Sequence, residues 1–341
     1  MKENGKNAIK FAVIALVFAI AAMADLLLGS VDIPASQVLE SIGLRHEAST
    51  ISNIIVNFRL PKALTAILCG AGLSVAGLLM QTLFHNPLAG PYVLGISSGA
   101  SLGVAVLVLA AGEIALPAFI VQSGLGTVLA AIIGAIAVMA VVLGTSARIK
   151  DSVTLLVVGM MFGSLAASVV NVLQSISNPD SLKVFVVWTM GSLSSVSWDL
   201  MYIMAPLTLI GIILALLLQK PLNALLLGET HAAGLGIAVR RSRVWIIVAT
   251  CILAGACTAF TGPVSFIGVA VPHIARGIFR SSDHRVILPA CILCGATLLL
   301  VCDIISQLPG TGYTLPINSV SALVGVPIIL WVIFKNKSLA A

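Results

Sequence analysis

A chain of 341 residues with 59% hydrophobic and only 9% charged side chains lacks the polar coat of a water-soluble domain, which carries roughly 25% charged residues. Its mean hydropathy of +1.14 and charge-free windows such as 120–144 exclude a large soluble α/β protein, whose apolar runs are about 10–14 residues long. The expectation is an all-α polytopic integral membrane protein with a net charge of +6.

The N-terminus is basic (Lys2, Lys6, Lys10) and then apolar to Ala24. Asp25 and Leu26 to Leu28 follow without a small-x-small cleavage site, so 9–28 reads as an uncleaved first span. The segment 29–60 carries Asp32, Glu40, Arg45, Glu47 and Arg59, and Pro34, Ser36, Val38, Leu39 and Ile42 fit a short amphipathic helix at the interface. Spans are expected at 63–84, 92–111, 118–144 and 153–173. In the second and third, Gly70, Gly72, Gly77, Gly95, Gly99 and Gly103 permit close helix packing, and Pro91 can open a helix between them. The segment 175–198 has a turn signal at Asn178-Pro179-Asp180 and interfacial anchors in Trp188 and Trp198.

A span at 200–218 leads to the longest loop on the basic side, 220–241, which mixes Glu229, His231, Arg240, Arg241 and Arg243 with several leucines. Spans at 244–262, 266–279, 286–306 and 316–334 complete a set of ten, the eighth interrupted by Pro272, His273 and Arg276. With the N-terminus cytoplasmic, fourteen basic residues fall inside and four (Arg45, Arg59, Lys62, Lys183) outside, as the positive-inside rule asks. Both termini are then cytoplasmic. At an offset of 185, Leu68, Gly70, Ala71, Gly77 and Pro87 match Leu253, Gly255, Ala256, Gly262 and Pro272. Five crossings separate the copies, so the expectation is one transmembrane domain, 1–341, with two inverted five-helix halves at about 9–173 and 200–334.

The six cysteines lie in apolar segments, and Cys291 and Cys294 have no second pair near in sequence. No G-x-x-x-x-G-K-[ST] motif occurs, and no metal or hydrolase constellation stands out. The chain reads as a conduit, not an enzyme. A gradient-driven secondary transporter is the alternative, but its relay would rest on Asp25, Asp199 and Asp303, all near span ends. A scaffold without a path leaves the amphipathic loop unexplained.

The motifs in order are Arg59-Leu-Pro-Lys62, Gln81 with Asn86-Pro-Leu-Ala89, Leu94-Gly-Ile-Ser-Ser-Gly-Ala100, Trp188-Thr-Met-Gly-Ser192, Leu227 to Gly236, Thr261-Gly-Pro-Val-Ser-Phe-Ile-Gly268, Pro272-His-Ile-Ala-Arg276, Asp303, Leu315-Pro-Ile-Asn318 and Gly325-Val-Pro327. With them the chain resembles, over nearly its whole length, the FecCD family, permease subunits of ABC importers for iron–siderophore complexes, haem and cobalamin (vitamin B12).

The resemblance implies a type II importer permease in the bacterial inner membrane. It implies a homodimer with two cytoplasmic ATPase subunits, which hold the ATP and Mg²⁺, and an extracytoplasmic binding protein; this chain would bind no cofactor and no metal. Gly228, Glu229, Ala232, Gly234, Leu235 and Gly236, within the segment 220–241, would form the ATPase coupling surface, and Arg59 and Lys62 the binding-protein dock. Met80, Gln81, Leu94, Ser97 and Ser98 are candidates to line the path, with helix packing on the lipid side as the alternative. Asn86, Pro87, Gly262, Pro263, Pro272, His273, Arg276, Asp303 and Pro316 are further motif positions. The chain departs from the family pattern at Gly90, where an acidic residue is usual, at Gln307 in place of an arginine, and at Thr314 in place of a glutamate. An iron–siderophore complex is the first expectation for the cargo, with haem and cobalamin as the alternatives.

Overall fold

The computed structural model describes residues 2–29, 33–34, 36–38, 50–110, 124–146, 152–307 and 313–337. Every regular element there is helical: α1 Lys2–Leu27, α2 Leu60–Leu83, α3 Ile96–Leu109, α4 Gly124–Ser146, α5 Ser152–Ile176, α6 Pro179–Thr189, α7 Trp198–Leu217, α8 Gln219–Leu225, α9 Glu229–Gly234, α10 Val239–Thr261, α11 Ile267–Phe279, α12 His284–Ser306 and α13 Ile317–Lys337. The chain enters α2 through Thr50–Ile54 and a π-helical turn at Ile55–Arg59.

Each expected span coincides with an apolar helix. Seven stretches, α1, Thr50–Leu83, α4, α5, α7, α10 and α12, are long and apolar enough to cross a membrane, whereas α3, α11 and the apolar part of α13 (Ile317–Trp331) are shorter. A helix of 14 residues such as α3 rises about 21 Å, less than the roughly 30 Å of a hydrocarbon core.

The centre is built on α2, which packs on α10, α11 and α12; α3 packs on α4 and α5, and α1 on α12. In α2 and α10, 83% and 78% of the membrane window is buried, against 28% in α5, so the first two are the core and α5 faces outward. Small residues make the core seam. A side chain at Gly70 would overlap the Gly295 carbonyl, and one at Gly77 the Gly268 carbonyl, which is the close approach expected where packing rather than water expulsion holds helices together.

Two expectations need correction. Pro272 does not interrupt its span, because α11 runs unbroken from Ile267 to Phe279; the proline's missing N–H frees only the Gly268 carbonyl, and that carbonyl meets Gly77. The Asn178-Pro179 pair is a helix start rather than a turn: Asn178 Oδ1 accepts the Ser181 N–H at 2.8 Å, Pro179 occupies the first helical position, and an 11-residue helix, α6, follows. Val38 is buried, while Leu39, Ile42, Arg45, Arg148 and Lys150 lie outside the described residues.

The alternation of the helices brings charges together at two ends. At one, the basic end, Lys10 Nζ points to the Phe279 carbonyl at 3.5 Å, and Arg280 and Arg285 follow. At the opposite end, Arg59 lies beside the end of α1, and Trp198 Nε1 donates to the Val56 carbonyl at 2.9 Å.

Candidate functional site

The segment 220–241, expected to couple to the ATPase, folds at the basic end as two short helices, α8 and α9, that lead into α10. Gly228 opens α9 at φ +95° and Gly236 closes it at φ +81°, backbone conformations that exclude most other residues. Ala232 is fully buried beneath α9. Glu229 Oε1 is 2.6 Å from Arg243 Nη2, which ties the start of α9 to α10. The other side is open: Leu227 and Leu235 are 63% and 65% exposed, and a side chain at Gly234 would meet nothing within 4 Å. The segment presents an apolar face on a polar, hydrogen-bonded base.

The loop between α2 and α3 lies against the same region. His85 adopts φ +48°, an αL conformation that costs a non-glycine residue about 1–2 kcal/mol, and its Nε2–H donates to the Leu225 carbonyl at 2.7 Å. Asn86 Oδ1 accepts the Leu88 N–H at 2.9 Å, and His273 Nε2–H donates to the Pro87 carbonyl at 2.8 Å. At the junction of α8 and α12, Asn223 donates to Asp283 Oδ1 at 2.6 Å, and its own oxygen accepts from the backbone and ring of His284, both at 2.8 Å. The Arg285 backbone N–H and the Asn223 amide hold the Asp283 carboxyl below its ordinary range, against a smaller desolvation effect. Sequence reading singled out neither Asn223 nor His284; Asp283 followed by a long apolar run was the available signal for a helix cap.

The two residues expected to dock a binding protein are recessed, not projecting. Arg59 is 7% exposed and donates to the Leu26 and Leu27 carbonyls at 2.8 and 3.0 Å, where the last turn of α1 leaves acceptors unsatisfied. Lys62 Nζ is 2.9 Å from Asp303 Oδ2. Gln307 is buried as well; its amide reaches Asp303 Oδ2 at 3.0 Å and Asp25 Oδ1 at 3.3 Å. Lys62 and Gln307 still line two cavities of about 260 and 330 Å³ at this end, walled by Ser194 and, in the larger, by Thr314 and Pro316.

The path candidates are packed inside the single chain. Met80 and Leu94 are fully buried and Gln81 is 4% exposed, the burial expected of the packing alternative. Gln81 accepts from Arg276 Nη1 at 2.6 Å and donates to the Val269 carbonyl, fixing α11 to α2. Ser97 is 3.2 Å from Thr258, and Ser98 faces Gly163. Gly262, at φ +73°, lies against the Trp188 carbonyl, and the Pro263 carbonyl faces Gly191; both motif positions shape backbone rather than bind. An exposed polar stripe on α5, Ser164, Ser168, Asn171 and Ser175, was missed. Its three- and four-residue spacing within a long apolar helix was the signal that could have found it.

Among the described residues no group of three His, Cys, Asp or Glu side chains is placed to hold a metal, and the six cysteines are buried and free.

The chain belongs to the FecCD transport family, whose profile matches residues 15–335, and it is the permease subunit of an ABC importer, in which ATP is hydrolysed by a partner. It is 37% identical over 284 residues to the vitamin B12 import system permease protein BtuC of Klebsiella pneumoniae, covering 83% of each chain. It is 35% identical over 286 residues to the hemin transport system permease protein HmuU of Yersinia pestis, covering 84% of each. A solved inward-facing chain assigned to the metal-chelate type of ABC transporter superposes with a TM-score of 0.83 at 26% identity, over 96% of this chain and 99% of that one.

Proposed function

We propose that two copies of this chain form a pathway that admits a metal chelate to the bacterial cytoplasm. Two ATPase subunits sit on the basic end, and a loaded binding protein docks on the opposite end. The observation that carries this reading is the α8–α9 pair. Its exposed Leu227 and Leu235, bracketed by turn glycines and set on the Glu229–Arg243 pair, form a face suited to a protein partner. Gly228, Glu229, Ala232, Gly234, Leu235 and Gly236 are its coupling residues. An iron chelate is the first expectation for the cargo, and the names of the two relatives extend it to corrin and porphyrin chelates.

The finer architecture follows the same reading: ten crossings in two inverted halves, with both termini cytoplasmic. Gly72 and Cys257, equivalent at the offset of 185, face each other across α2 and α10, a side chain at Gly72 lying 3.2 Å from Cys257 Sγ. Equivalent residues meet in this way where a two-fold axis passes between inverted copies. For the path we take the α5 stripe in place of Met80 and Leu94. Asn171 is exposed on a helix whose other exposed positions include Met161, Leu165, Val169 and Val172, and an amide costs less against a water-filled passage than against lipid. Lys62 remains a docking residue at the floor of the outer cavities, where a partner carboxylate must compete with Asp303.

The buried Asp25 and Asp303 are what a gradient-driven transporter would use. Uptake of a cobalamin, haem or ferric siderophore by proteoliposomes separates the two readings. We expect uptake that requires ATP, the ATPase subunit and the binding protein together; uptake driven by an imposed proton or sodium gradient without them would overturn the proposal.

A further inference from the structure

Most contacts of the coupling segment with the membrane core are apolar. In α8, Leu222, Ala224 and Leu225 are buried, and such packing gives adhesion but little fixed register, because it is non-directional. The Glu229–Arg243 pair ties α9 to α10, whereas the directional contacts of α8 meet two imidazoles. Asn223 is oriented by its donation to Asp283 Oδ1 at 2.6 Å, so its oxygen faces His284 and accepts both the backbone N–H and the Nδ1–H, each at 2.8 Å. With the proton of the neutral ring on Nδ1, Nε2 is left as an acceptor, and Thr82 Oγ1 lies 2.9 Å from it, its one proton shared between that nitrogen and the Leu78 carbonyl, also at 2.9 Å. Thr82 is in the last turn of α2. Three residues further on, His85, held at φ +48°, donates to the Leu225 carbonyl at 2.7 Å. Both links therefore run from α8 to the same end of α2, the most buried helix of the core.

We infer that His284 and His85 are positioning residues that make α8 and the end of α2 move as one body, so that displacement of the coupling segment by the ATPase is delivered to the α2 seam rather than lost in slippage. The inference rests on the reading of 220–241 as the coupling surface. An apolar contact alone would let α8 slide over α2. Two hydrogen-bonded links about one helical turn apart fix both translation and rotation, and one of them is held in a strained backbone conformation that its surroundings must enforce.

The experiment uses the full permease with its ATPase subunit and loaded binding protein in proteoliposomes, and reads ATP hydrolysed per substrate taken up. The variants are Thr82→Val, which removes one hydroxyl and keeps the volume, His85→Ala and His284→Gln. Thr82→Val and His85→Ala should leave co-purification of the ATPase intact and raise the ATP cost per substrate; combined they should raise it roughly ten-fold or more, the equivalent of about one or two lost hydrogen bonds. His284→Gln, whose amide can still donate to Asn223, should lie between them and the unmodified protein. An unchanged ratio in the inserted, co-purifying double variant overturns the link. A ratio restored in full by apolar residues at both sites would do the same, since packing would then suffice. Failure of the coupling reading itself shows differently: the ATPase would stay bound and stimulated when the apolar face of α9 is blocked by Gly234→Trp.

Discussion

Gly77 and Pro272 act as a pair. The proline cannot donate to the Gly268 carbonyl, and the glycine lets the α2 backbone approach that same oxygen, where a Cα–H can offer a weak substitute. Gly77→Ala should therefore lower the thermal stability of the purified protein, with a cost of about 1–3 kcal/mol for overpacking a seam that cannot open. Gly277→Ala is the control: it lies in the same helix as Pro272 with nothing within 4 Å of an added carbon, and should be neutral or slightly stabilising. Equal effects of the two in a detergent melt would refute the pairing. Lys62 and Asp303 are also close partners, 2.9 Å apart and nearly buried. Lys62→Met should cost about 3–5 kcal/mol by stranding the carboxylate, while Lys62→Met with Asp303→Leu should cost much less; a double variant as unstable as the single one would count against an ion pair. The small residues of α2 were legible in the sequence as packing residues. That Arg59 and Lys62 turn inward was not, because charge and position alone do not reveal the carbonyls of α1 or the carboxylate of α12 that receive them.

Among the elements, α9 separates two kinds of lesion. Glu229→Lys sets a second cation against Arg243, which is itself buried, so it should loosen α9 from α10 and reduce the yield of assembled complex as well as its activity. Gly234→Trp starts from a position where an added Cβ meets nothing within 4 Å, and it should insert normally while losing the ATPase in co-purification. If the tryptophan variant also fails to insert, the open face assigned to α9 is wrong. That 220–241 stands apart from the spans was readable from its mixture of charge and leucine, and its motif pointed to short helices, which α8 and α9 are. The separate roles of its two glycines were less visible: Gly236 turns the chain at positive φ, whereas Gly234 only leaves room. α6 was misread because an Asn-Pro pair can begin a turn or a helix equally well, and the eleven residues after it carry no strong period.

For the whole molecule, the pattern of apolar windows located the described helices, with ends displaced by up to seven residues as at the start of α1, since length and hydrophobicity are what a bilayer selects. It could not give the passage, because a core residue such as Met80 and a lining residue look alike until packing is known. The α5 stripe supplies a test. Asn171→Cys and Ser168→Cys should react with a membrane-impermeant maleimide in assembled vesicles and be protected by cargo or by a bound partner; Val169→Cys, displaced around the helix, should react at least several-fold more slowly. The native thiols are all buried, which keeps their background low. Equal labelling of the three would remove the wet stripe, and uniformly slow labelling would place α5 in lipid on all its exposed sides.

The π-helical turn at Ile55–Arg59 gives the permease a joint in its own numbering. A wide turn accommodates one residue more than regular winding would, and here it falls just before Leu60, where the glycine-bearing part of α2 begins. Shortening the chain by one residue at Asn57 would let the helix wind evenly and rotate everything upstream by about 100°, swinging Val56 away from Trp198 while leaving Gly70 and Gly77 where they are. The turn thus acts as a phase adjuster: the rim at this end and the seam that holds the bundle keep separate angular settings on a single continuous rod.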